Sequence, residues 1–255
     1  MTESERLKAD IVEVGRRLYA RGLIGGNEGN VSARAGETLF ITPAGVCKGF
    51  LVPEQIVTTD LLGRPTSGGR ASTEILMHTA VYARRPDVTA VVHAHPPTAT
   101  GFAVAGVPLD RPLVAEAVVA LGPVPIIPYG MPSTTALAEN VAEAICGAHA
   151  LLLAHHGALA VGDSLWRAWE RMETLEQLAR VALVARSLGR EDPLPPADVA
   201  RLEGARAAAG YPAPACVDCP ACGTSVPRAR TGEVVLTRDE LERIVAEAVE
   251  KFGRA

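Results

Sequence analysis

The chain has 255 residues, 48% of them hydrophobic and 21% charged, which is enough apolar material for a core and too much for wholesale disorder. Its 25 basic and 29 acidic residues leave a net charge of −4 with no basic block, and aromatics are only 4%, so nucleic acid is not expected as a partner. No apolar run reaches the roughly 18–20 residues that a membrane span needs, so no membrane contact is expected either.

The N-terminus, MTESERLKADIVEVGRRLYARG, is patterned as an amphipathic helix from about Ser4 to Arg21 and not as a signal peptide; the expected location is the cytoplasm. A Gly-rich loop follows, then short β-rich runs, VSAR, TLFITP and QIVTTD. A second helix is expected from near Ser72-Thr73, holding Glu74 and His78. Next come the strands VTAVVHAHP and VPIIPY, a helix from about Thr134 to Cys146, and the strand ALLLAHHG. The longest helix is expected from a cap at Asp163 to about Leu188. Interspersed strands and helices indicate one α/β domain over residues 1–190. Residues 191–235 are rich in Pro, Ala and Gly and read as a linker with a Cys cluster; residues 236–255 read as a terminal amphipathic helix.

His93 and His95 are the sharpest chemical feature. On a strand, residues two apart share a face, so both imidazoles can reach one metal ion from one side. Pro96 ends the strand, placing them at its exit, and LLLAHHG is a second strand ending in His that can supply a third ligand. Three imidazoles and an open position make a catalytic zinc arrangement. The bland alternative is scattered surface or core histidines, but four of the six His fall at these two exits. Glu74 reads either as a plain first-turn residue or as a functional carboxylate at a helix start. His78, one turn on, reads as a structural neighbour. The loop GGNEGNVS and the pair Ser72-Thr73 offer backbone N–H groups, amides and hydroxyls of the kind that cradle phosphate, although such loops are commonly plain turns.

Taken in order, GNVS (Gly29 to Ser32), ITPAG (Ile41 to Gly45), STE (Ser72 to Glu74), VVHAHP (Val91 to Pro96), VPIIPY (Val124 to Tyr129) and HHG (His155 to Gly157) resemble the class II aldolase/adducin family, and within it the fuculose-1-phosphate or rhamnulose-type aldolases. The resemblance spans about residues 5–190. It implies a three-layer α/β/α fold with a mostly antiparallel central sheet. It implies Zn²⁺ held by His93, His95 and His156, with another divalent metal as the substitute, and Glu74 as the acid/base. His155 stays outside the metal shell. It implies a phosphate pocket from Gly29, Asn30, Gly45, Ser72 and Thr73, and a small phosphorylated sugar as substrate. A ketose 1-phosphate would be cleaved to dihydroxyacetone phosphate and an aldehyde through a Zn-stabilised enediolate, with Glu74 aided by a raised pKa in a dry site. No Schiff-base lysine is required, in keeping with Lys8, Lys48 and Lys251, none of which stands at an apolar strand exit. The family also implies a homotetramer.

Two departures stand out. The fuculose-phosphate aldolases carry a Tyr between the H-x-H strand and VPIIPY, thought to protonate the leaving aldehyde. The stretch VPLDRPLVAEAVVALG has none, and Tyr211 from a neighbouring subunit is the substitute candidate. Ala44 stands where relatives carry a hydroxyl, removing one charge-assisted hydrogen bond to phosphate, about 1.5–3 kcal/mol. Same-scaffold alternatives are a pentulose-phosphate epimerase, which typically carries Asp in place of Glu74, and methylthioribulose-phosphate dehydratase. An adducin-like interaction scaffold generally lacks the metal ligands that are present here.

In the tail, Cys216, Cys219 and Cys222 read as a linker with chance thiols or as half of a zinc ribbon. Thr237 and Glu240 form a capping box, and Leu241, Ile244, Val245, Ala248 and Phe252 make one apolar stripe. Behind a long Pro/Gly-rich tether, this helix resembles the encapsulation peptides of bacterial microcompartment enzymes. The implied alternatives are docking on a shell or cargo protein through residues 237–252, or packing within the oligomer.

Overall fold

Helix α1 (Glu3–Ala20) opens the chain with a reciprocal cap in which Thr2 Oγ accepts from the Glu5 amide and the Glu5 carboxylate accepts from the Thr2 amide. Its buried stripe is Ile11, Val14 and Leu18. The computed structural model describes residues 2–67, 69–217 and 225–226.

Eight strands form one sheet: β1 (Asn30–Ala35), β2 (Thr38–Ile41), β3 (Val57–Thr59), β4 (Pro65–Ser67), β5 (Ala90–Ala94), β6 (Ile126–Ile127), β7 (Ala150–Leu153) and β8 (Gly157–Gly162). Their spatial order is β4-β3-β2-β1-β5-β8-β7-β6. Every neighbouring pair is antiparallel except β6 with β7. The remaining helices are α2 (Ile75–Arg84), α3 (Pro97–Ala105), α4 (Ala115–Ala120), α5 (Thr135–Ala144), α6 (Leu165–Ser187) and α7 (Pro196–Ala205).

Strand alternation builds two cores. Ala90, Val92, Ala158 and Ala160 face one side, packing with Ile11 and Leu18 of α1 and Met172 and Leu175 of α6. Val91, Leu159 and Val161 face the other, packing with Val81 of α2 and Val141 of α5. Small residues on the first side let the long helix α6 lie close to the sheet. The result is the expected α/β/α layering around a mostly antiparallel sheet.

Local boundaries differ from the sequence expectations for identifiable reasons. Helix α6 is capped by Ser164, whose Oγ accepts from the Arg167 amide at 3.2 Å, and not by Asp163. Helix α2 begins at Ile75, so Glu74 is its N-cap residue rather than part of its first turn. Strand β8 was not foreseen: GALAVG is fully buried along its length and so has no alternation to read. VPIIPY shortens to the two residues of β6, because the flanking prolines donate no ladder hydrogen bond. Part of the stretch read as linker is packed: Tyr211 lies against the first core, and Cys216 is fully buried with its thiol donating to the Cys146 carbonyl. Cys216–Val217 and Ser225–Val226 form a short parallel pair. Cys219, Cys222 and the expected helix over residues 237–252 lie outside the described residues.

Candidate metal centre and cleft

His93 is on β5 and fully buried; His95 follows just past the strand end, on the same face. His156 arrives from the turn between β7 and β8, where His155 adopts a left-handed backbone with φ 56°. Antiparallel pairing of β5 with β8 sets His93 opposite Leu159 and brings that turn to the end of β5. One ligand atom from each of His93, His95 and His156 falls within 4.8 Å of the others. His155 points elsewhere, its ring centroid 6.3 Å from that of Tyr129.

Two glycines make this convergence possible. A Cβ on Gly157 would lie 2.6 Å from the Ala94 carbonyl oxygen and 2.6 Å from His95 Cδ2, so only glycine lets β8 start against the His95 ring. A Cβ on Gly29 would lie 2.9 Å from the His93 carbonyl oxygen, and its φ of 73° also favours glycine.

The donor chemistry fits a cation. His93 Nδ1–H donates to the Ala158 carbonyl at 2.9 Å, which leaves the Nε2 lone pair free. That Nε2 faces His95 Nε2 at 3.1 Å. Glu74 closes the group, Oε2 lying 3.3 Å from His93 Nε2 and Oε1 lying 3.2 Å from His156 Nε2. Glu74 Oε1 is buried and makes no hydrogen bond. Three imidazoles around a carboxylate with an unsatisfied oxygen are a donor set that a divalent ion would complete. Burial pushes the His95 pKa down to about 4, so its lone pair is available to a metal at neutral pH. For Glu74, burial acts to raise the pKa, but the adjacent His93 and His156 outweigh it and hold the carboxyl below its ordinary value. This reverses the raised pKa expected from water exclusion alone, because the expectation left out the imidazoles.

Behind Glu74 runs a one-way chain of buried hydrogen bonds. Asn30 Nδ2 donates to Glu74 Oε2 at 2.7 Å, so its carbonyl oxygen faces His78 and accepts from His78 Nε2–H. His78 is buried and neutral, its pKa lowered to about 3 by burial, so Nδ1 accepts from Ser32 Oγ at 2.7 Å. Ser32 in turn accepts from the Tyr82 hydroxyl at 2.7 Å. His78 is thus the structural neighbour that the sequence suggested.

A cleft of about 280 Å³ opens over this group. Gly29, Asn30, Gly45, Ser72 and Thr73 line it beside Glu74, His95 and His156, so the expected phosphate residues and the metal group share one space. Gly45 has φ 71°, a Cβ there would meet nothing within 4 Å, and the residue is exposed. Lys48 also lines the cleft, a position that the sequence reading passed over. Tyr211 does not: its hydroxyl donates to Glu170 at 2.9 Å and Arg167 stacks 4.0 Å over its ring, which fixes it on α6 of its own chain.

Three histidines at strand ends and a glutamate at a helix start converge beneath one cleft, a donor set of the kind that metal-dependent enzymes use. Residues 9–183 match the family "Class II Aldolase and Adducin N-terminal domain", and the chain belongs to that family. It is 31% identical over 189 residues to a 3-oxo-tetronate 4-phosphate decarboxylase of Pectobacterium atrosepticum, covering 72% of this chain and 87% of that one. It is 36% identical over 180 residues to a 5-methylthioribulose-1-phosphate/5-deoxyribulose-1-phosphate aldolase of Escherichia coli, covering 69% and 84%. A solved L-fuculose 1-phosphate aldolase superposes with a TM-score of 0.75 at 29% identity, covering 80% and 96%. The chain is a lyase of the class II aldolase family, whose members depend on divalent metals. No helix among the described residues is long and apolar enough to cross a membrane.

Proposed function

We propose that this chain is a zinc-dependent aldolase that cleaves a ketose 1-phosphate of the fuculose or rhamnulose type to dihydroxyacetone phosphate and an aldehyde. The observation that carries this reading is the convergence of His93, His95 and His156 on Glu74 at one end of a cleft that also holds Asn30, Gly45 and Ser72. The three histidines would hold the ion. When bound, a divalent cation there acts as a Lewis acid on a carbonyl and offsets negative charge on neighbouring oxygens.

Glu74 is placed to move the proton. Kept ionised by its imidazole neighbours and aimed by Asn30, it takes the proton from the hydroxyl-bearing carbon in condensation and returns it in cleavage. In cleavage the electron pair of the broken C–C bond stays on the dihydroxyacetone phosphate fragment, and the departing carbon's hydroxyl loses its proton to a second group. Gly29, Asn30, Gly45, Ser72 and Thr73 receive the phosphate. Tyr211 serves as that second group only if it reaches a neighbouring subunit's cleft, since its own chain ties it to Glu170.

A second reading is decarboxylation of a 3-oxo acid phosphate. The segment between β5 and β6 holds no tyrosine, and loss of CO₂ requires no proton transfer at the leaving group. The 3-oxo-tetronate 4-phosphate decarboxylase relative agrees with it. Incubating zinc-loaded and chelator-treated protein with ketose 1-phosphates and with 3-oxo-tetronate 4-phosphate separates the two. Triose phosphate with an aldehyde supports the aldolase, and triose phosphate with CO₂ supports the decarboxylase. Failure to bind a divalent ion, or turnover untouched by chelation, would remove the metal-dependent reading.

The proposal extends to the assembly: a homotetramer, checked by sedimentation, and a C-terminal amphipathic helix over residues 236–255 that either docks on a shell or cargo protein or packs within the oligomer. Fusing residues 232–255 to a fluorescent protein tests the microcompartment contact. Diffuse fluorescence in a host with such shells would sink it.

A further inference from the structure

Lys48 is 3% exposed, yet it stands on the wall of the cleft. Its backbone is pressed onto α1 at Gly15, where a Cβ would lie 2.6 Å from the Lys48 carbonyl oxygen and 3.2 Å from its Cβ. That close approach fixes where the side chain leaves the backbone. An ammonium group has three hydrogens to donate. One goes to the Asn27 carbonyl at 2.5 Å, and among the described residues no other acceptor takes the remaining two and no carboxylate forms an ion pair with it. Burial pushes the amine's pKa down, and the neighbouring Cys47, Glu28 and Glu74 oppose this. A buried cation with unused donors is unfavourable unless an anion completes it.

The neighbourhood says which anion. On the same lining, Ala44 offers no side-chain hydrogen bond, Asn30, Gly45 and Ser72 present neutral groups, and the Glu28 carboxylate accepts from the Gly25 amide. A phosphate monoester carries a charge near −2 and three acceptor oxygens, more than neutral donors alone would satisfy. We infer that Lys48 is the cationic contact for the substrate's phosphate group. This rests on the reading of the cleft as a sugar-phosphate site. It makes Lys48 a binding residue and gives it no part in proton transfer.

The test is made on the full-length, zinc-loaded protein with inorganic phosphate as the probe. The chain has three lysines, so ¹³C-lysine labelling lets the Lys48 ε-carbon resonance be followed directly in the wild type. It should move and saturate along the same curve as phosphate binding measured by calorimetry. Lys48→Met should bind phosphate about 10–100-fold more weakly, the effect of one charge-assisted hydrogen bond. It should also raise KM for a ketose 1-phosphate by a similar factor with kcat changed less than about threefold, and Lys48→Arg should recover part of the loss. The wild-type titration stands even if Lys48→Met fails to fold. A Lys48 resonance that stays still at saturating phosphate, no phosphate binding by the wild type, or a Lys48→Met protein that binds phosphate as the wild type does would overturn the inference. Lys48-dependent phosphate binding without turnover of any ketose phosphate would keep the inference and remove the aldolase reading. Turnover with phosphate affinity indifferent to Lys48 would do the opposite.

Discussion

Asn30 holds Glu74 from behind: its amide donates to Oε2 at 2.7 Å, and the orientation of that amide is set by His78 on its other side. The carboxylate facing the metal group is therefore aimed by a residue that begins the neighbouring strand. Asn30→Ala should leave metal content unchanged and lower kcat about 10–100-fold, as expected for losing a hydrogen bond to a charged group. Steady-state kinetics beside metal analysis of the same preparation decides the matter. Unchanged kcat would mean that Glu74 does not depend on this support.

Replacing Glu74 by glutamine keeps its size and removes its ability to take a proton. Glu74→Gln should retain the metal and lose about 10²–10⁴ in rate. Its measurement needs a companion, His156→Ala, which should lose metal as well as rate. Near wild-type turnover by Glu74→Gln would require another base.

Gly157→Ala tests the packing beneath the histidines. The added methyl would sit 2.6 Å from both the Ala94 carbonyl oxygen and His95 Cδ2, so either β8 or the His95 ring must move. A loss of metal affinity is expected, with about 1–3 kcal/mol of stability. Metal titration and thermal melting report the two effects separately, and full metal occupancy with an unchanged melting temperature would contradict this account.

His78, His95 and His149, the last buried directly before β7, make the metal-free protein acid-sensitive. Burial lowers their folded pKa values to about 3, about 4 and about 2, against an ordinary value near 6.5. Below pH 6.5 the unfolded chain binds protons that the folded chain refuses, so stability is fully present above that pH and falls as pH drops toward the folded values. Between pH 7 and pH 5 each histidine should cost about 2 kcal/mol. Urea denaturation at the two pH values measures the sum, and His149→Gln should flatten the dependence by about a third.

The histidine pair was legible because a strand's period of two is visible in H-x-H. Glu74, Ser72 and Thr73 became legible together with the other family segments. His156 was chosen over His155 by resemblance alone. The structural reason is the left-handed backbone of His155, which turns one ring out and the next one in, and no spacing rule reveals it. Strand β8 stayed hidden because uniform burial erases alternation. Lys48 stayed hidden because its place depends on a close approach by Gly15 of α1, a contact between segments far apart in the chain. The lowered pKa of Glu74 likewise needs the distances to His93 and His156, which only the folded sheet supplies.

Asn30 and His93 are direct partners across the β1–β5 ladder. The spacing between the amide that aims Glu74 and the first histidine of the cluster is therefore measured out by main-chain hydrogen bonds in the middle of the sheet, as marks on a ruler. Warming that loosens loops leaves such a ruler intact until the sheet itself opens. Catalytic geometry should then persist close to the melting temperature and fail together with the fold, without an earlier, separate inactivation step.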